Sequence, residues 1–443
     1  MDRLKVWPTE RENLFMTMMP RLLLFSLIAT ALAVGSACTA PTNNSNAPVT
    51  QATPAPSPAA SPASTDQASV QVTLPLLDAL LADDAFVSEL KNKANLSDDR
   101  IASLKRASQL EVDRLREANA EDAEEINGNG TDAPTRAAEQ LRSILGDEKA
   151  TQVASLANEF WAKGDPEAEG ANGAAFEMLK GPNAVPADTR VVVNIPAFRM
   201  DLFQNGSLVK SYKIGIGYPE FPLPLGLRKA QTVIFNPPWT PPHSPWVAKM
   251  KNVTPGETVQ PGSKDNPLGI IKIPIGMPSL IHGGKAPAKI GKFASHGCVG
   301  MTNAQVKDFA TQLIRAANNE VSDKEITQYL ADKTQTKTLK LDQVIPVELR
   351  YETIVLEDGK LYIYKDVYAQ DTNTEENLRR VLEMHGARLE DLSEDQRRQA
   401  LEALQKPVKT EVVIDVSTLA GKGYPAPVNL DDGKPQTTRT KRR

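Results

Sequence analysis

The spacing of apolar positions changes character several times along the chain. Residues 22–37 (LLLFSLIATALAVGSA) are continuously apolar or small, with Arg21 before them and Cys38 after. A membrane-spanning helix needs about 20 such residues, so this shorter run reads as the hydrophobic region of an export signal. Residues 1–15 carry mixed charge and suit such a signal badly, whereas a start at Met16, Met18 or Met19 leaves a short leader charged by Arg21. Residues 39–69 hold Ala, Pro, Ser, Thr, Asn and Gln with almost nothing to bury, which predicts a disordered linker.

From Leu74 to about Gly164 apolar residues recur at helical spacing, as in Ile101, Leu104 and Leu115, and again in Leu141, Ile144, Leu145, Val153, Leu156 and Phe160. Ser97 before Asp98 and Asp99 reads as a helix cap with acids in the first turn. The segment 127–135 (NGNGTDAPT) separates two helices. A helical domain of about three helices over 70–165 follows, without His or Cys. At Arg190 the period becomes two. RVVVNIPAFRMDLFQNGSLVKSYKIGIG predicts two strands joined by a type I′ turn at Asn205-Gly206. Short strands continue through QTVIFNPPWTPP, and a second hairpin at 347–366 turns at Asp358-Gly359. A helical stretch, 303–332, is inserted between them. These runs predict a mainly β domain, sandwich-like or barrel-like, over 189–370. The remainder, 371–443, reads as a helical segment (about 373–405), one short strand (VKTEVVIDVS) and a basic tail. Leu392-Ser393-Glu394-Asp395 echoes Leu96-Ser97-Asp98-Asp99, which is shared capping chemistry and not a repeat. The predicted class is multidomain α+β.

With 443 residues there is room for two or three domains. A net charge of −4 and a pI near 5.8 give no reason to expect nucleic-acid binding. Two cysteines make no disulfide framework. The chemistry concentrates in Ile281–Asn303, IHGGKAPAKIGKFASHGCVGMTN, which holds five glycines, two of the four histidines and one cysteine. So much glycine predicts loop, and loops on a rigid scaffold commonly carry function. A thiol becomes a nucleophile when a base or positive charge favours its thiolate, and an imidazole supplies either. A lone cysteine is usually a small buried hydrophobe, but Cys298 beside His282 and His296 in such a loop favours catalysis. The three are also zinc ligand types, yet His-X-Cys is an unusual chelating pair and no fourth ligand is evident, so no metal is expected. His243 sits in a proline-rich loop (PPHSPW), and His385, in a late helix, reads as surface.

The HG…SHGC arrangement of His282-Gly283 and Ser295-His296-Gly297-Cys298 resembles the catalytic signature of the L,D-transpeptidases with a YkuD-type domain. Here 12 residues separate His282 from Ser295, a slightly short gap. RVVVNIPAFRMDLFQNGSLVKSYKIGIG resembles the family's opening hairpin, FNPPWTPP its Pro-Trp turn and IPVELRYETIVLEDGKLYIYKDVY its closing strands. The resemblance implies that Cys298 attacks the L-centre carbonyl before the terminal D-alanine of a peptidoglycan stem. A thioester forms and passes to an amine of a neighbouring stem, without a cofactor. It implies His282 as base, with the Gly283 carbonyl orienting its ring, and backbone N–H groups around Gly297 and Cys298 as oxyanion donors. His296 shapes the site or contacts substrate, and Ser295 supports the loop. Gly300 departs from relatives that carry Arg or Asn two residues after the cysteine, so that contact is missing or comes from elsewhere. Trp239 and Trp246 wall the cleft or pack in the core, and Asn303 supports the loop or caps the next helix.

Gly35-Ser36-Ala37-Cys38 resembles a bacterial lipoprotein signal, in which Cys38 is lipidated and becomes the mature N-terminus; an ordinary secretory signal cleaved near Ala37 is the alternative. The implied location is the cell envelope, with a lipid anchor on Cys38 and the linker as tether. Implied partners are stem peptides, the membrane and a protein docking on 70–165. Alternatives to cross-linking are an L,D-carboxypeptidase or cross-link-cleaving hydrolase using the same thioester, and a non-enzymatic wall-binding lipoprotein.

Overall fold

The computed structural model describes residues 72–117, 132–163, 176–241, 247, 250–276, 279–406, 408–418 and 423–434. Cys38, His243 and Trp246 lie outside these residues.

Among the described residues the N-terminal region holds five helices, not about three: α1 (Leu74–Leu81), α2 (Asp84–Lys93), α3 (Asp98–Glu117), α4 (Asp132–Leu145) and α5 (Asp147–Lys163). Two breaks lie inside stretches whose helical period continues across them. Asp83 caps α2 by accepting the Ala85 N–H at 2.8 Å, and Gly146, at φ +79°, separates α4 from α5. Leu76, Leu77, Phe86, Leu90, Leu104 and Val153 form the core of this region. The Phe86 ring lies 5.2 Å from Phe160.

The β region is built on one mixed eight-stranded sheet, ordered β3-β2-β1-β10-β5-β6-β7-β9. Its strands are β1 (Arg190–Asn194), β2 (Arg199–Gln204), β3 (Ser207–Lys213), β5 (Gly226–Phe235), β6 (Ile271–Pro274), β7 (Leu280–His282), β9 (Val299–Gly300) and β10 (Lys337–Arg350). Asn205 and Gly206, at φ +50° and +78°, make the turn between β2 and β3. β4 (Ile216–Gly217) and β8 (Phe293–Ser295) form a separate parallel pair. The insertion is α6 (Asn303–Ala316) and α7 (Asp323–Ala331). Val306, Phe309, Ala310 and Leu313 of α6 bury against Val233, Phe235, Ile271 and Ile273 of the sheet. Each large apolar side chain so buried stabilises by about 1.5–3 kcal/mol, which fixes the helix directly after the glycine-rich segment. The result is a curled open sheet.

The second hairpin leaves this sheet. Its strands β11 (Ile354–Glu357) and β12 (Lys360–Tyr364) pair with β13 (Glu411–Asp415) in a three-stranded sheet. Helices α8 (Glu375–Met384) and α9 (Glu394–Gln405) cover it, burying Leu378, Val381, Leu382 and Ala400. Beyond β13, Val428 and Asp431 hydrogen-bond to Ser211 and Lys213 of β3. They cover an edge that would otherwise expose unpaired backbone. Among the described residues no helix is long and apolar enough to cross a membrane.

Candidate active site

Strand register assembles the site. β7 and β9 run parallel, with Ile281 opposite Val299 and His282 opposite Gly300. Ile281 and Val299 are buried in the core. Alternate positions face the other way, so Leu280, His282, Cys298 and Gly300 share the opposite face. The Leu280 N–H lies against the Cys298 thiol. Cys298 is part-exposed, while His282 is buried.

His282 Nδ1 lies 2.7 Å from Gly283 O. A carbonyl only accepts, so Nδ1 carries the proton and Nε2 is left as the basic nitrogen. Burial first, then the Lys285 charge, pushes the His282 pKa down to about 3. His296 is held at about 3 by the same causes, in the same order. Its ring sits between Tyr218, 5.3 Å away, and Phe221, 5.0 Å away. Burial pushes the Cys298 thiol up, and the Leu280 N–H and Lys285 partly oppose this. At neutral pH the resting pair is therefore thiol and neutral imidazole. Neither histidine changes charge between pH 5 and 8, because both already lost their proton near pH 3. Alkylation of Cys298 by iodoacetamide should rise with pH through a single ionisation lying above the ordinary thiol value, without an inflection near 6.5. A stopped-time alkylation series across pH 5–10 checks this, and a step between 6 and 7 contradicts it.

The turn at Gly297 depends on its φ of +85°, which glycine adopts without strain. Its carbonyl accepts from the buried Ser279 hydroxyl at 2.8 Å, and this fixes the orientation of that peptide. Among the described residues the Gly297 N–H has no hydrogen-bond partner. The Cys298 N–H, also expected to be an oxyanion donor, instead donates to Ser295 Oγ at 3.1 Å. The Ser295 hydroxyl in turn donates to Cys298 O. One oxyanion donor of the expected pair is thus already engaged by its own loop.

Asn303 Oδ1 accepts the Gly284 N–H at 2.9 Å and the Ile270 N–H at 3.2 Å, which ties the segment after His282 to the start of β6. The cap of α6 is Thr302, in a reciprocal pair with Gln305. A Cβ at Gly283 would stand 2.6 Å from Asn303 Oδ1, so this approach requires glycine. Asn303→Ala should destabilise the chain by about 1–2 kcal/mol through two lost hydrogen bonds, measured by denaturant unfolding. An unchanged midpoint contradicts this.

Gly300 lies under the side chain of Lys285, whose Cγ is 2.9 Å from where a Cβ would be. Trp239, expected along the cleft, is buried in a satellite cluster with Val247 and Leu268 and pairs its backbone with Val259. His385, expected at the surface, is half-buried at the end of α8.

Five residues at the site escaped the sequence: Ser279, Lys285, Tyr218, Phe221 and Tyr368. Tyr368 donates to Gly217 O at 2.8 Å and accepts the Leu223 N–H at 3.2 Å. It thereby pins the loop that brings Tyr218 and Phe221 to His296. Gly217 presses against Gly297, since a Cβ there would lie 3.1 Å from Gly297 N. Only Lys285 left a sequence signal, the vacancy at Gly300.

The sequence model of the L,D-transpeptidase catalytic domain, YkuD, matches residues 188–327. A probable L,D-transpeptidase, YbiS of Escherichia coli K12, is 31% identical over 119 residues, 26% of this chain and 39% of that protein. The chain thus spans well under half the length of the curated relatives it matches. The solved catalytic domain of an E. faecium L,D-transpeptidase is similar at 16% identity, over 38% of this chain and 99% of that one, with a TM-score of 0.24. An L,D-transpeptidase of Mycobacterium tuberculosis H37Rv is similar at 13% identity, over 37% and 57%, with a TM-score of 0.21. By the sequence matches, residues 188–327 of this chain are similar to the YkuD family of L,D-transpeptidase catalytic domains.

Proposed function

We propose that the protein is a peptidoglycan L,D-transpeptidase whose nucleophile is Cys298. The observation that carries the reading is the shared face of β7 and β9, which holds the Cys298 thiol and a neutral imidazole with its tautomer fixed by Gly283 O. One residue before the thiol, the Gly297 N–H has no hydrogen-bond partner among the described residues. His282 Nε2 takes the thiol proton as sulfur attacks the L-centre carbonyl of the stem's third residue. The developing oxyanion is met by the Gly297 N–H. The tetrahedral species collapses to a thioester, and the proton held by His282 goes to the departing D-alanine amine. An amine of a neighbouring stem then attacks the thioester, with His282 again as base, and the thiol is regenerated. His296 lines the site between its two aromatic neighbours, and Ser295 holds the loop.

Under this reading residues 1–38 are an export signal ending in a lipidated Cys38, 39–69 a tether, 70–165 a helical domain open to a protein partner, 189–370 the catalytic domain and 371–443 a C-terminal region with a basic tail. The site then faces the wall from a lipid anchor in the cell envelope. The test uses the full-length chain with disaccharide-tetrapeptide muropeptides, followed by mass spectrometry. A cross-linked dimer lacking one D-alanine supports the transpeptidase. Tripeptide alone supports the carboxypeptidase. No turnover, together with no carbapenem adduct on Cys298, supports the binding protein.

A further inference from the structure

Gly300 makes room for a charge. Without a side chain there, the stem of Lys285 lies directly over β9, with Cγ, Cε and Cδ at 2.9, 3.0 and 3.5 Å from the position a Cβ would take. The backbone holds it in register. The Lys285 N–H donates to Met301 O at 3.0 Å, and the Met301 N–H donates to His282 O at 2.8 Å. The ammonium is within electrostatic reach of Cys298, His282 and His296. Among the described residues it has neither a hydrogen-bond nor an ion-pair partner.

Burial, with Lys289 adding to it, lowers the Lys285 pKa, so a half-buried cation without an anion is an unfavourable arrangement here unless a ligand completes it. The thiol is not that anion at rest, because burial holds Cys298 protonated and both imidazoles are neutral. A stem cut by Cys298 carries its own anion close by: the free carboxylate of the terminal residue, a few bonds beyond the attacked carbonyl. We propose that Lys285, laid across Gly300, binds this terminal carboxylate and so selects stems that end one residue after the attacked bond. The substrate preference rests on the transpeptidase reading; the anion site itself does not. An amidated end, or a stem extended by a further residue, places no carboxylate there.

The first arm of the test needs no muropeptide. Iodoacetate and iodoacetamide alkylate a thiol by the same displacement, in which an S–C bond forms and iodide leaves, and they differ in a carboxylate. Their rate ratio cancels the thiol's ionisation. It is read at Cys298 of the full-length chain by peptide mass spectrometry, against N-acetylcysteinamide as a neutral thiol. The expected ratio exceeds the reference by about tenfold or more, as a charge-assisted contact gives. Lys285→Met should return it to the reference, and Lys285→Arg should keep most of it. Gly300→Ala, whose methyl displaces the lysine stem, should lower it. Equal slowing of both reagents in Lys285→Met would mean that Lys285 acts only on the thiol's ionisation, and would overturn the proposal. So would an unchanged ratio.

The second arm compares disaccharide-tetrapeptide with its C-terminal amide. Wild type should favour the acid by about 10–100-fold in kcat/KM, and Lys285→Met should lose the preference. Turnover without any acid preference overturns the carboxylate assignment. If wild type turns over neither substrate, the transpeptidase reading fails while the alkylation ratio still decides the anion site.

Discussion

Cys298→Ala should abolish D-alanine release and cross-linking by about 10⁴-fold or more, the scale on which enzymes lose rate with their nucleophile. Nothing nearby substitutes for it. Ser295 is the closest hydroxyl in sequence, but it is buried, donates to Cys298 O and accepts the Cys298 N–H. Its oxygen is therefore committed to holding the turn. The substitution removes one sulfur from a part-exposed position, so thermal unfolding should be nearly unchanged. That separates lost chemistry from lost structure. Retained turnover in a folded Cys298→Ala protein would remove the thioester from the account.

His282→Ala should cost about 10²–10⁴-fold at neutral pH, the usual contribution of a positioned general base. The dependence on pH is more telling than the size. In the wild type burial raises the pKa of the thiol and lowers that of the imidazole, and under the proposed mechanism the neutral imidazole removes the thiol proton during attack. Without the imidazole the thiolate must form on its own, which happens only above the raised thiol pKa. The deficit should therefore shrink as pH rises towards 10. Alkylation of Cys298 at high pH should be close to wild type in the variant. A deficit constant from pH 6 to 10 would mean that His282 serves structure and not proton transfer. His296→Ala offers a contrast. Its ring packs against Tyr218 and Phe221, so its loss should loosen the loop without producing this pH-dependent recovery.

What could be read from the sequence followed from local rules. Asn205-Gly206 and Asp358-Gly359 turn hairpins because both residues of each pair take positive φ, a local steric demand visible as two letters. Ser393 caps α9, as the Leu392-Ser393-Glu394-Asp395 phrase implies. Helix number was less legible, since the breaks at Ala82-Asp83 and Gly146 are one or two residues inside stretches of continuous helical period. The partner of the second hairpin was not legible at all. β12 pairs with β13 across the two helices α8 and α9, and pairing at that distance along the chain leaves no mark in a local pattern.

The site divides in the same way. Cys298, His282 and their glycines stand in one short stretch. Ser279, Tyr218, Phe221 and Tyr368 reach it only through the register of β4, β7, β8 and β9. Lys285 was half-legible, because Gly300 advertised a missing side chain without naming what fills the space. Trp239, an aromatic in a Pro-rich turn, reads equally as cleft wall and as core, and it is buried beside Val247 and Leu268.

The helical region also reaches the site in a way its sequence did not announce. Thr73 caps α1 by accepting the Leu76 N–H, and its hydroxyl donates to Glu220 O at 2.6 Å. Glu220 belongs to the loop that carries Tyr218 and Phe221. Burial raises its carboxyl above the usual range, against the opposing pull of Arg136 and Arg114 from α4 and α3. The helices therefore support the aromatic wall of His296.

A thioester on Cys298 would be visible in the intact mass of the acylated protein. Full-length chain mixed briefly with disaccharide-tetrapeptide and quenched in acid should gain the mass of the disaccharide-tripeptide acyl group. Digestion should place the adduct on the peptide containing Cys298, and Cys298→Ala should show none. An adduct elsewhere, an adduct that survives in Cys298→Ala, or D-alanine release with no acylated protein at any time would contradict the account.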